Sequence, residues 1–177
     1  MNSAREIIKL ILLSIVIVIP FRLFIAQPFI VEGASMEPTF ESGEYLIVDE
    51  LSYYWKTPER GSVLVFKYPK DPSKRFIKRV IGLPEETVSL RNGTVTIIND
   101  GHPEGFVLEE SYIEIKKDET VNYILGKGEY FVMGDNRLWS SDSRVWGPVP
   151  EDNIIGRPII QFLPPEIFPG EVNVNNP

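Results

Sequence analysis

From Pro28 onward the sequence shows no helical periodicity, and this constrains the fold more than any other feature. β-Branched and aromatic runs alternate with Gly, Pro and Asn, the pattern of short strands joined by turns. Strands are expected at Tyr45–Asp49, Ser62–Tyr68, Arg75–Gly82, Thr87–Leu90, Thr94–Ile98, Val121–Leu125 and Tyr130–Met133. The sharpest local signal is Asn92-Gly93, a pair suited to the positive φ angles of a type I′ hairpin turn. With no internal repeat and no low-complexity linker, one β-rich domain is the economical architecture.

The N-terminus is of another kind. Leu10 to Phe21 is apolar except for Ser14 and Pro20, with Lys9 before it and Arg22 after it. Those 12 residues give about 18 Å of helix, short of a hydrocarbon core of about 30 Å. Lys9 and Arg22 extend the span by sending their charges outward while their stems stay in lipid, so a helix from about Ala4 to Gln27 suffices. A cleavable leader wants small residues before its cut. Cutting after Ala26 puts Phe24 at the third position back, and cutting after Ala34 puts Glu32 there. A buried core helix would be striped, and this run is apolar all round. The expectation is an uncleaved single-pass helix. Arg5, Lys9 and the terminal amine put the N-terminus in the cytoplasm and residues after about 28 outside it. The chain then divides into a cytoplasmic tip and transmembrane helix over 1–27, an extracytoplasmic domain over 28–165 and a tail over 166–177.

Composition narrows the chemistry. A net charge of −7 without a basic cluster argues against nucleic acid as partner. With no cysteine, thiol catalysis is out. With a single histidine, His102, which reads as a solvated turn residue, a structural zinc site would need mostly carboxylate ligands.

Two segments carry candidate chemistry. In Gly33-Ala34-Ser35-Met36-Glu37-Pro38, Gly33 permits close backbone approach and Pro38 pushes Glu37 out of helical conformation. Ser35 thus sits on a shaped turn whose N–H groups can converge, as a nucleophile and oxyanion hole require. From the turn alone, an ordinary loop serine is the simpler reading. In Phe76-Ile77-Lys78-Arg79-Val80-Ile81, alternation puts Lys78 between Phe76 and Val80 on one face and Arg79 between Ile77 and Ile81 on the other. A lysine desolvated there has its pKa lowered and serves as a base; an edge strand with charged tips in water is the bland alternative. The segment Met133–Val149 reads as a rigid polar loop holding two arginines near two aspartates.

Ser35-Met36-Glu37-Pro38-Thr39, Lys78-Arg79-Val80-Ile81-Gly82-Leu83-Pro84 and Gly134-Asp135-Asn136-Arg137…Ser140…Asp142-Ser143-Arg144 stand in that order. Together they resemble the boxes of bacterial type I signal peptidases, from the N-terminal anchor through about Pro158. The resemblance implies a mainly β, largely antiparallel catalytic domain behind one transmembrane helix. It implies a membrane-bound serine endopeptidase of the plasma membrane that removes signal peptides from secretory preproteins after small residues in an A-x-A-like context. It implies chemistry without cofactor or metal, and it implies no obligate protein partner. Ser35 matches the nucleophile and Lys78 the base; Ser140 matches the serine that orients the lysine. Asp142 and Arg144 match a supporting ion pair, and Val31 and Met36 positions of the small-residue pocket. The substrate would lie extended as an added strand.

The chain departs from the family pattern in three places. Gly33 replaces an oxyanion serine found in some members, leaving backbone N–H groups to that task. Ser62 stands where an acidic residue is usual. Leu83-Pro84-Glu85-Glu86 replaces Leu-Pro-Gly-Asp, and since Glu85 tolerates positive φ poorly, a type I turn is expected there. The rivals are a self-cleaving repressor-type Ser/Lys protein, which would need a DNA-binding module, and an inactive tethered β module that binds extended peptides. A eukaryotic-type peptidase would be expected to carry His where Lys78 stands.

Overall fold

A computed structural model describes residues 2–24 and 27–162, with side chains over 5–16 and 28–162. Helix α1 (Asn2–Phe24) leads into β1 (Gln27–Ile30) and β2 (Tyr45–Asp49), which pair antiparallel. There follow β3 (Val63–Tyr68), β4 (Asp71–Gly82), β5 (Thr87–Arg91), β6 (Thr94–Asn99), β7 (His102–Val107), β8 (Val121–Ile124) and β9 (Glu129–Met133). A single turn of helix, α2 (Ser143–Trp146), precedes β10 (Val149–Pro150) and β11 (Ile154–Phe162). The strands form a seven-stranded sheet, β1-β2-β11-β3-β4-β9-β10, and a four-stranded sheet, β7-β6-β5-β8. Every described pairing is antiparallel. The expected tail over 166–177 lies outside the described residues.

All seven expected strands are present within a few residues of their expected ends. Asn92 and Gly93 have φ of 49° and 72°, as a type I′ turn demands, and the hairpin closes on Arg91 opposite Thr94. Four strands went unread. The longest is β11, which lies between β2 and β3; Gly156 and Pro158 interrupt its alternation. The structure absorbs that interruption with register shifts at Ile154/Gly156 and Pro158/Ile160. At Gly156 a Cβ would fall 2.3 Å from the Asp49 carbonyl oxygen, so no larger residue fits. His102 opens β7 instead of lying in the turn; it is exposed, its ring edge-on to Phe106 at 4.9 Å.

The expected type I turn at Leu83–Glu86 is overturned. Glu85 has φ of 67°, the left-handed value that the third position of a type II turn requires. What holds it there is Glu86, whose buried carboxylate accepts from Leu83 N (2.8 Å), Asn99 Nδ2 (2.8 Å) and Arg60 (2.6 Å). A buried charge with three donors outweighs the cost of about 1–2 kcal/mol for one left-handed residue.

Three apolar clusters fill the interior. One joins the small sheet to the large through Val88, Leu90, Val95 and Ile97 against Ile81 and Phe131. A second packs Leu64, Phe66, Val80 and Val132 under Trp146, and a third gathers Val31, Met36, Phe40 and Leu46 around Val65. β4 therefore passes from exposure at residues 72–75 to burial at 80–82, and Lys78 sits just inside that boundary.

In α1, the apolar residues Ile7, Ile8, Leu10 to Leu13, Ile15 and Val16 are 46–66% exposed, with no protein cover. Among the described residues, no helix is long and apolar enough to cross a membrane, so the expected single span is not found in them.

Candidate active site

The turn after β1 is shaped by its own backbone bonds. Val31 N donates to Glu44 O (2.9 Å), Gly43 N to Val31 O (2.8 Å) and Phe40 N to Met36 O (3.0 Å). Gly33 takes φ of 86°, its N–H bonded to Ser42 Oγ at 3.1 Å, and the Glu37-Pro38 peptide is cis. Met36 is fully buried beneath the turn. This lifts Ser35 toward β4, where Lys78 Nζ donates to Ser35 Oγ at 2.7 Å and to the Ile77 carbonyl at 2.8 Å.

Lys78 is 4% exposed and forms no salt bridge among the described residues. Burial brings its pKa down to about 8, against a weaker upward pull from the Asp142 and Asp135 carboxylates. An amine at that pKa is partly neutral near pH 7, and its lone pair then faces the serine hydroxyl. The Ser35 N–H meets no acceptor among the described residues. Ser35 and Lys78 both line a groove of about 530 Å³. Phe29 to Ser35 line one side and Ser73 with Arg75 to Lys78 the other.

The segment after β9 braces this pair. Asn136 N donates to Ser35 O at 3.1 Å, tying the serine turn to the loop directly. Gly134 N donates to Asp142 Oδ2 at 3.0 Å, and Arg144 grips the same carboxylate at 2.7 and 2.8 Å. Burial pushes the Asp142 carboxyl upward, but the Arg144 guanidinium and the Gly134 N–H overcome it and hold it below the usual carboxylate range. Ser140 contributes least there. Its buried hydroxyl reaches hydrogen-bond geometry with neither Asp142 nor Lys78, so the expected contact from Ser140 to the lysine is not seen.

Three further ion pairs differ from the local pairing expected of the loop. Asp135 goes to Arg79, which donates to it through Nε (2.8 Å) and Nη2 (2.6 Å) and to Gly61 O (2.8 Å). Thr39 Oγ1 adds a 2.6 Å bond to the same carboxylate. Arg137 pairs with Glu110, and Arg144 also with Glu119. Tyr112 stacks over Arg79 at 4.1 Å. Glu110, Tyr112 and Glu119 were not singled out from sequence, because nothing local in an irregular acidic stretch announces a contact 25 or more residues away.

The profile of the family described as signal peptidase, peptidase S26, matches residues 4–163. The chain belongs to this family. A probable signal peptidase I of Synechocystis is 39% identical over 168 residues, covering 90% of this chain and 83% of its own. Signal peptidase I of Leptolyngbya laminosa is 41% identical over 92% of this chain and 81% of its own, and signal peptidase I V of Bacillus subtilis 37% over 81% and 89%. Membership makes this chain a serine peptidase, a hydrolase. Val31, Ser35 and Lys78 line one groove, Met36 lies behind its wall, and Asp142 and Arg144 stand together beneath.

Proposed function

We propose that this peptidase removes N-terminal signal peptides from exported preproteins after small residues in an A-x-A-like context, with Ser35 as nucleophile and Lys78 as general base. The observation that carries the proposal is the 2.7 Å contact between the Ser35 hydroxyl and a buried amine with pKa near 8, at the end of an open groove. Neutral Lys78 takes the hydroxyl proton as Oγ bonds to the scissile carbonyl carbon. The developing oxyanion is met by the Ser35 N–H. The lysine returns the proton to the departing amine as the C–N bond breaks, leaving an ester on Ser35. Water, deprotonated by Lys78, then hydrolyses that ester.

Val31 walls the groove beside Ser35, and Met36 supports that wall from within the core. Together they limit the substrate to small side chains. The Asp142–Arg144 pair holds Gly134, and through Asn136 the serine turn, without touching substrate. Ser140 lies beside this brace, its buried hydroxyl without a hydrogen-bond partner among the described residues.

The uncovered apolar surface of α1 supports attachment to a lipid bilayer, as a single-pass anchor with Lys9 and Arg22 at its ends. The basic N-terminus supports a cytoplasmic tip at the cell membrane, with residues 28–165 outside as the catalytic domain. Cut sites of exported proteins emerge at that surface.

The test is cleavage of a purified preprotein in detergent by wild type, Ser35→Ala and Lys78→Ala. Cutting after the A-x-A site by wild type alone is expected. Undiminished cutting by both variants would sink the dyad. A folded wild type that cuts nothing would favour a tethered peptide-binding module.

A further inference from the structure

The groove does not end at the small-residue wall. Along β4, period-two alternation sends Ser73, Arg75 and Ile77 to one face. Ile77 packs with the cluster that holds Val31, and Phe29 packs there too. Arg75 continues this row outward, its guanidinium 5.3 Å from the centre of the Phe29 ring. It thereby spans from β4 to β1 across the groove's outer end. Arg75 is exposed and forms no salt bridge among the described residues. Its neighbour in register on β3 is another cation, Lys67. Beyond it opens an adjoining hollow of about 580 Å³ that Arg75 shares with Glu50, Lys67 and Glu151. Glu50, Glu151 and Asp152 line the hollow, while the groove carries one carboxylate, Glu32, three residues from Ser35, so the charge that a peptide meets at the groove's outer end is the positive one of Arg75.

We infer that Arg75 sets the charge specificity of the groove at about the fifth residue before the cut, favouring acidic or neutral polar side chains and disfavouring Lys and Arg. This rests on the peptidase reading above. The position follows from geometry. An extended peptide and β4 both advance about 3.3 Å per residue, so two steps along one match two along the other. If the third residue before the cut faces Val31 and Ile77, the fifth faces Phe29 and Arg75. Phe29 holds the guanidinium by its ring face, leaving the N–H edges to the peptide.

The experiment compares three preproteins differing only in the fifth residue before the cut (Glu, Gln or Lys), in detergent at low salt, using wild type, Arg75→Glu and Arg75→Gln. The readout is the ratio of kcat/KM between substrates within each variant, which is insensitive to the amount of active enzyme. Wild type should cut the Glu substrate about fivefold to tenfold faster than the Lys substrate, in line with one partly solvated charge contact, and salt should shrink the ratio. Arg75→Glu should reverse the order and Arg75→Gln should level it. An unchanged order in either variant overturns the inference. So does an equal preference when the same three residues are placed at the tenth position, since that would be a bulk charge effect. If wild type cuts none of the three, the peptidase reading itself fails and the inference with it.

Discussion

Gly134→Ala is expected to disable the enzyme while leaving it folded. A Cβ at Gly134 would fall 2.3 Å from the Ser35 carbonyl oxygen and 2.3 Å from Ser140 Oγ. The φ of Gly134 is not positive, so the demand for glycine comes from closeness and not from conformational freedom. Ser140 relieves its share by rotation, whereas the Ser35 carbonyl is backbone. Restoring ordinary contact takes about 1 Å of separation between the two segments. That shift stretches the 3.1 Å bond from Asn136 N to Ser35 O and carries Ser35 Oγ away from Lys78 Nζ. Misplacement of a reacting group by about 1 Å costs on the order of a hundredfold in rate. Overpacking at such a contact costs about 1–3 kcal/mol of stability. The assay is single-turnover cleavage with enzyme in saturating excess over preprotein, paired with thermal unfolding. Gly101→Ala is the control: its nearest neighbour would be Asn99 Oδ1 at 3.5 Å, and its rate should stay within twofold. A folded Gly134→Ala protein cutting within threefold of wild type would refute the reasoning.

With Lys78 at a pKa of about 8, roughly a tenth of it is neutral at pH 7 and roughly nine-tenths at pH 9, so cleavage should rise about tenfold over that range. A flat profile would exclude Lys78 as the titrating base. The same shift acts on stability. Folded and unfolded states are both protonated below pH 8, so the burial cost is present in full there. Between pH 8 and about 10.4 the unfolded chain binds the extra proton, and stability rises with pH. Lys78→Met should therefore abolish cleavage yet unfold at higher denaturant at pH 7, by up to about 3 kcal/mol; a destabilised variant would contradict the assigned cost. Asp142→Ala strips Arg144, 3% exposed, of its main partner and Gly134 N of its acceptor, and should cost about 3–5 kcal/mol in urea unfolding. A loss below 1 kcal/mol would show that Glu119 alone satisfies Arg144.

Legibility from sequence followed the range of the forces involved. The seven expected strands were readable because alternation and turn residues act over a few positions, and Asn92-Gly93 carries its backbone requirement in its own side chains. β11 was not, because its Gly156 and Pro158 make sense against the Asp49 backbone and the bulges they accompany. Glu85 was misread for a related reason: its local preference was weighed without the three donors that fix Glu86.

The β-rich domain and the apolar N-terminal helix were legible in the residues themselves, whereas Ser35 and Lys78 stood out through their resemblance to the signal peptidase boxes, a loop serine and an edge-strand lysine being open readings of the residues alone. That hydroxyl and amine, 43 residues apart, meet at 2.7 Å is the work of the folded packing. It also decided that Asp135 belongs to Arg79, that Arg137 is held by Glu110, and that Arg75 stands across the groove mouth. Residue types specify charge and shape, but which charges meet depends on strand order and register, and those are settled by burying three clusters at once.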